Sequence, residues 1–115
     1  MPKKEIVSEI TESEFSKIIN NKEKNLVIVD FFAEWCMPCV VLSPVIERLA
    51  EKFPKVKFAK INVDGAPKLS QEYEISSIPC IIFFKDGKVV DMVVGAVNER
   101  ILEEKISDYF GSNSE

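Results

Sequence analysis

Histidine is absent from this chain of 115 residues, and cysteine occurs only at Cys36, Cys39 and Cys80. A conventional structural zinc site takes four Cys or His ligands, so one protomer cannot supply a full set. An odd, small cysteine number is also a poor match to a secreted disulfide framework. Arginine is confined to Arg48 and Arg100, and there is no basic block and no interleaving of basic and aromatic residues. With a net charge of −4 and a pI of about 5.0, nonspecific nucleic-acid binding is excluded. No apolar run approaches the ~20 residues of a membrane span. Behind Met1-Pro2-Lys3-Lys4-Glu5 comes Ile6-Val7-Ser8 and then acidic residues, not an apolar signal segment. Repeats, low-complexity stretches and linkers are missing too. One domain over residues 1–115 is expected, with loose ends at 1–4 and 112–115. It is read as soluble, intracellular and cytoplasmic, a monomer without nucleic-acid or membrane partners. At 46% hydrophobic residues, the chain has enough apolar surface for a core.

What is present centres on Trp35-Cys36-Met37-Pro38-Cys39. The thiols lie three positions apart, where the apolar run Leu26 to Ala33 gives way to a helical pattern. Unpaired N–H groups at a helix start stabilise negative charge, and the thiolate is the form that attacks disulfides and binds metals. Positions i and i+3 share a helix face, so the second sulfur can reach the first. In an intracellular chain such a pair is catalytic or metal-binding. Redox exchange is the stronger reading, with an iron–sulfur cluster shared between two chains as the alternative.

Local signals place the surrounding elements. Thr11-Glu12-Ser13-Glu14 reads as a capping box before a short helix through Phe15, Ile18 and Ile19. Leu26 to Ala33 reads as a strand covered on both faces. Leu42, Val45, Ile46, Leu49 and Phe53 recur on one face of a helix of about four turns, with a kink expected at Pro44. Val56 to Val63 reads as a strand, and Pro67 opens a short helix carrying Leu69 and Tyr73. Cys80 to Phe84 and Lys88 to Val94 flank Lys85-Asp86-Gly87, a hairpin signal. Asn98 then caps a last helix with Leu102, Ile106, Tyr109 and Phe110 inward and Gly111 at its end. The order β-α-β-α-β-α-β-β-α describes an α/β sheet with helices on both faces.

These residues resemble the thioredoxin family from roughly Ile6 to Phe110. The resemblance is carried by Val29 to Cys39, Ser43-Pro44, Ala59 to Asp64, Ile75 to Pro79, Phe84 to Gly87 and Val94-Gly95-Ala96. It implies the thioredoxin fold, a central mixed five-stranded sheet flanked by four helices. It implies a protein-disulfide reductase that exchanges dithiol and disulfide without a bound cofactor or metal. Its partners would be protein disulfides and a thioredoxin reductase as electron donor. Cys36 would be the exposed attacking thiol and Cys39 the resolving one, together the redox-active disulfide. Asp30 would be a buried carboxylate beneath them, with Lys60 as its neighbour. Trp35, Met37, Pro38, Ile78, Pro79, Gly95 and Ala96 would line the substrate groove.

Several of these positions read differently from the residues alone. Asp30 in an apolar strand is costly to bury, and by itself points to a surface or loop-capping residue. Buried, it would have a raised pKa and could take the Cys39 proton. Lys60 alternates with apolar residues and reads as solvent-facing, whereas the resemblance places it near Asp30. Pro79 reads as trans from base rates and as cis from the resemblance. Trp35 is expected to pack beside the disulfide and shield it. Pro38 lacks an N–H that a first helical turn does not need. Met37 departs from the Gly, Cys80 from the Thr and Phe32 from the Trp that are common in the family, and Val40 stands where Lys is frequent. Cys80 is read as a buried, inert core residue, with a third reactive thiol as the alternative. A glutaredoxin-like exchanger and a groove-based binding module are the competing functions.

Overall fold

The structure is a computed structural model and describes residues 6–111. The loose ends expected at 1–4 and 112–115 lie outside the described residues. The elements follow the expected order: β1 (Val7–Glu9), α1 (Phe15–Ile19), β2 (Leu26–Phe32), α2 (Met37–Lys52), β3 (Lys57–Asn62), α3 (Pro67–Glu72), β4 (Cys80–Lys85), β5 (Lys88–Val94) and α4 (Glu99–Gly111). Single 3-10 turns at Glu12–Glu14 and Val63–Gly65 precede α1 and α3. The sheet order is β1-β3-β2-β4-β5. β3 runs parallel to β1 and β2, while β4 is antiparallel to both β2 and β5. The parallel pairs are joined across helices and the last pair by a tight turn, as each pairing requires.

β2 shows why the apolar run forms the centre of the sheet. Every residue from Leu26 to Phe31 is buried, and successive side chains point to opposite faces. Leu26 and Ile28 pack with Leu42, Ile46 and Leu49 of α2 and with Leu102 and Ile106 of α4. Val27, Val29 and Phe31 pack with Phe15 and Ile19 of α1, and Leu69 and Tyr73 close that side. Each such Leu, Ile or Phe contributes roughly 1.5–3 kcal/mol by leaving water. α2 is one continuous helix through Pro44.

Local caps hold the helices in place. The Glu14 carboxylate accepts the Thr11 backbone N–H at 2.8 Å, and Asn98 Oδ1 accepts the Ile101 N–H at 3.0 Å. Glu12 reaches across the chain and accepts the Leu69 N–H at 2.8 Å, which ties the start of α3 to the turn before α1. One end of the sheet gathers the residues of interest. Phe32 pairs with Asn62 there, Phe31 pairs with Cys80, and Cys80 pairs with Val94.

The hairpin follows its Asp-Gly signal. Asp86 has φ 53 and Gly87 φ 78, the left-handed pair of a two-residue turn whose twist matches the strands. A Cβ on Gly87 would collide with the Asn20 side chain. Gly87→Ala is therefore expected to lower stability by about 2 kcal/mol in urea denaturation, from the left-handed backbone and the collision together. Adding Asn20→Gly should recover the steric share.

Candidate active site

Cys36 is the N-cap of α2, with extended backbone at φ −92 and ψ 105, and its Sγ accepts the Cys39 backbone N–H at 3.2 Å. Met37 and Pro38 form the first helical turn, where the absent proline N–H has no partner to lose. Cys36 and Cys39 are joined in a disulfide with Cα atoms 5.3 Å apart. The helix end that holds Cys36 points the Cys39 N–H at its sulfur, an arrangement that favours the thiolate once the bond opens.

One expectation for this turn is corrected. Cys36 is not exposed: it is 5% accessible against 4% for Cys39. The pair packs with Ala33 against Phe32, Val63 and Ile78. Trp35 itself is 69% exposed. Its indole N–H donates to Asp64 Oδ2 at 2.9 Å, which pins the ring to the turn after β3. Asp64 is positioned in turn by its backbone N–H, which donates to Asn62 Oδ1 at 2.9 Å. Asp64 and Asn62 received no role in the sequence reading. The signal was an Asn two residues before an Asp at a strand end, a pattern that folds into a side-chain-capped turn.

Asp30 is buried in the middle of this end of the sheet, at 4% exposure. By alternation it shares a face with Ile28, which packs under α2, and with Phe32, which packs against the disulfide. It pairs with Lys60 on β3 and Ile81 on β4. Its Oδ1 has no hydrogen-bond partner. Burial raises its pKa to about 7, against the pull of the Lys60 charge. Lys60 is half-buried and holds its ammonium 5.6 Å from the centre of the Phe32 ring. The strand-end and solvent-facing readings of these two residues therefore give way to a carboxyl group and an ammonium paired in register.

Cys80 opens β4 opposite Phe31 and packs in the cluster on the other sheet face, 1% exposed. Desolvation, and then the Asp30 charge, push its thiol up to about 11. The position fits the buried core residue and not a third thiol beside the pair.

The remaining residues expected in the groove lie at the same end. The Ile78–Pro79 peptide is cis. Ile78 packs against the disulfide cluster, and the Pro79 carbonyl accepts the Gly95 N–H at 2.8 Å. Gly95 has φ 89, while Ala96 and Met37 are exposed. Among the described residues no group of three His, Cys, Asp or Glu side chains comes together as a metal site. Among them, too, no helix is long and apolar enough to cross a membrane.

The family model for thioredoxin matches residues 6–108. A thioredoxin from Chlorobaculum thiosulfatiphilum is 43% identical over 104 residues, covering 90% of this chain and 95% of the relative. A solved mutant thioredoxin from Halobacterium salinarum superposes with a TM-score of 0.82 at 34% identity, covering 90% of this chain and 89% of its own. A chain from the structural basis of the thiol resolving mechanism in yeast mitochondrial 1-Cys peroxiredoxin via glutathione/thioredoxin systems superposes with a TM-score of 0.79 at 31% identity, covering 89% of this chain and 94% of its own.

The Asp30 environment sets a pH dependence with a definite sign. Between the unfolded value of 3.8 and the folded value of about 7, the native state keeps a proton that the unfolded chain has released. Stability contributed by this group is thus full below pH 4, falls as pH rises to 7 and is flat above. The shift corresponds to about 4 kcal/mol at about 1.4 kcal/mol per unit. Asp30→Asn should gain on the wild type by about that amount between pH 4 and pH 8 in urea denaturation of the oxidised protein. Parallel curves for the two proteins would contradict the assignment.

Proposed function

The chain belongs to the thioredoxin family and is a dithiol–disulfide oxidoreductase centred on Cys36 and Cys39, and from that premise we propose that it reduces disulfides in other proteins. The observation that carries the proposal is a thiol pair at a helix N-terminus with a buried acid whose pKa lies near 7 on the same side of the sheet. In the reduced protein the Cys36 thiolate attacks one sulfur of a substrate disulfide. A mixed disulfide forms, and the second substrate sulfur leaves as thiolate. Cys39 then attacks the Cys36 sulfur, the Cys36–Cys39 bond forms, and the first substrate sulfur leaves. Two electrons pass from the protein to the substrate.

The attack by Cys39 needs its proton removed. Asp30 is assigned as the acceptor, because a carboxyl group with a pKa near 7 can both hold and release a proton at working pH. Lys60 is assigned as the residue that keeps Asp30 from rising higher, its charge opposing the desolvation. Trp35, Met37, Pro38, Ile78, Pro79, Gly95 and Ala96 are assigned as the wall that receives the substrate chain. A reductase that supplies two electrons and two protons restores the dithiol, and a thioredoxin reductase is the donor assigned. The structure bearing on thiol resolution in a yeast 1-Cys peroxiredoxin supports peroxiredoxin-type disulfides as one class of substrate. The cytoplasm, where thiols are kept reduced, is the assigned compartment.

Dithiothreitol-driven reduction of insulin is the test. Wild-type protein should turn over, Cys36→Ser should lose the activity to background, and Cys80→Ser should stay within about twofold. Iodoacetamide at pH 7 should modify reduced Cys36 far faster than Cys80, whose thiol is buried and pushed up to about 11. No turnover by the wild type would overturn the reductase assignment.

A further inference from the structure

The outward side of α2 changes character halfway along. Met37, Val40, Val41 and Pro44 stand at helical spacing and are exposed, Met37 at 68% and Val41 at 67%. One turn on, the exposed positions are Glu47, Arg48, Glu51 and Lys52, all charged. The charged half has work within the fold. Arg48 pairs with Glu99 and Lys52 with Glu103, each at 2.8 Å, which ties α2 to α4. The apolar half is exposed on its outer side, while its inner side serves the core through Cys39, Leu42 and Ile46. A helix that is apolar all round is ordinarily covered, and an apolar patch rimmed by charge marks a contact surface.

We propose that Val40, Val41 and Pro44 extend the substrate-docking surface beyond the redox turn, and that the occupant is the protein disulfide substrate, presented on an uncharged, apolar segment. The inference rests on the protein-disulfide reductase reading. Continuity argues for this occupant. The stripe begins at Met37, next to the attacking cysteine, and Trp35 just before that cysteine is exposed as well. A folded substrate that brings a disulfide to Cys36 must lie over this turn, and a small disulfide need not reach the next one. The stripe carries no charge, so it discriminates by excluding charged surfaces and gains nothing from steering. Val40 and Val41 are thus specificity-determining residues that touch the protein around the disulfide and not the reacting sulfurs.

The test is steady-state reduction of insulin with dithiothreitol as donor, set beside the rate with glutathione disulfide, which is too small to span the stripe. Val41→Lys and Val41→Glu should each raise KM for insulin about five- to tenfold with kcat held, as expected when a charge must be desolvated at a contact. Their rate with glutathione disulfide should stay within twofold of wild type. Val41→Leu should restore the wild-type KM, and Ile101→Lys, an exposed apolar position on α4, should change neither substrate. An unchanged insulin KM in both charged variants would overturn the proposal. So would a rise for one sign of charge only, or an equal loss with glutathione disulfide. A wild type that reduces glutathione disulfide but not insulin would overturn the reductase reading and this proposal with it.

Discussion

A carboxyl group sits in the apolar central strand of this protein, and one of its oxygens has no hydrogen-bond partner among the described residues. Burying an ionised carboxylate in such a place is expensive, and the cheaper state is the protonated one. The rest of the active end is built around that fact. β2 must be covered on both faces to remove Asp30 from water, so α2 lies over it, and the start of α2 is thereby brought to the end of the strand. The same packing that desolvates the acid delivers the two sulfurs to its side of the sheet. Lys60, paired in register, supplies a countercharge at the rim, which holds the group near neutrality.

Three acidic side chains are sorted by their position around this core. Cys36 receives an N–H at the end of a helix, where negative charge is welcomed. Asp30 lies in the apolar layer between that turn and the main core, where charge is resisted. Cys80 lies on the far face, where both burial and the neighbouring carboxylate resist charge more strongly. A helix end and the two faces of one sheet thus set three different costs on carrying charge. The difference comes from which face each side chain takes and how near a helix end it lies.

Much of this was legible because it is local. The strand from Leu26, the capping box at Thr11, the cap at Asn98, the Asp-Gly hairpin and the thiol pair at a helix start all depend on neighbours a few residues apart. What escaped depends on contacts between distant segments. The Trp35–Asp64 hydrogen bond spans 29 residues, and nothing near Trp35 announces it. The burial of Cys36 comes from a wall of Phe32, Val63 and Ile78 that only the fold assembles. The face taken by Cys80 follows from strand register. Asp30 and Lys60 read as surface residues and Pro79 as trans from their own segments; the family resemblance alone pointed to the burial, the pairing and the cis peptide that the fold shows. The apolar periodicity of α2 revealed its inner face; that its first half is apolar on the outer face too acquires meaning only once its exposure is known.

The central claim is that desolvation holds the Asp30 carboxyl group protonated until near neutral pH. It is tested most directly by following the side-chain carboxyl carbon of Asp30 by NMR while the oxidised protein is titrated. A midpoint at about 7 is the predicted result. A midpoint at the ordinary value near 3.8 would contradict the account.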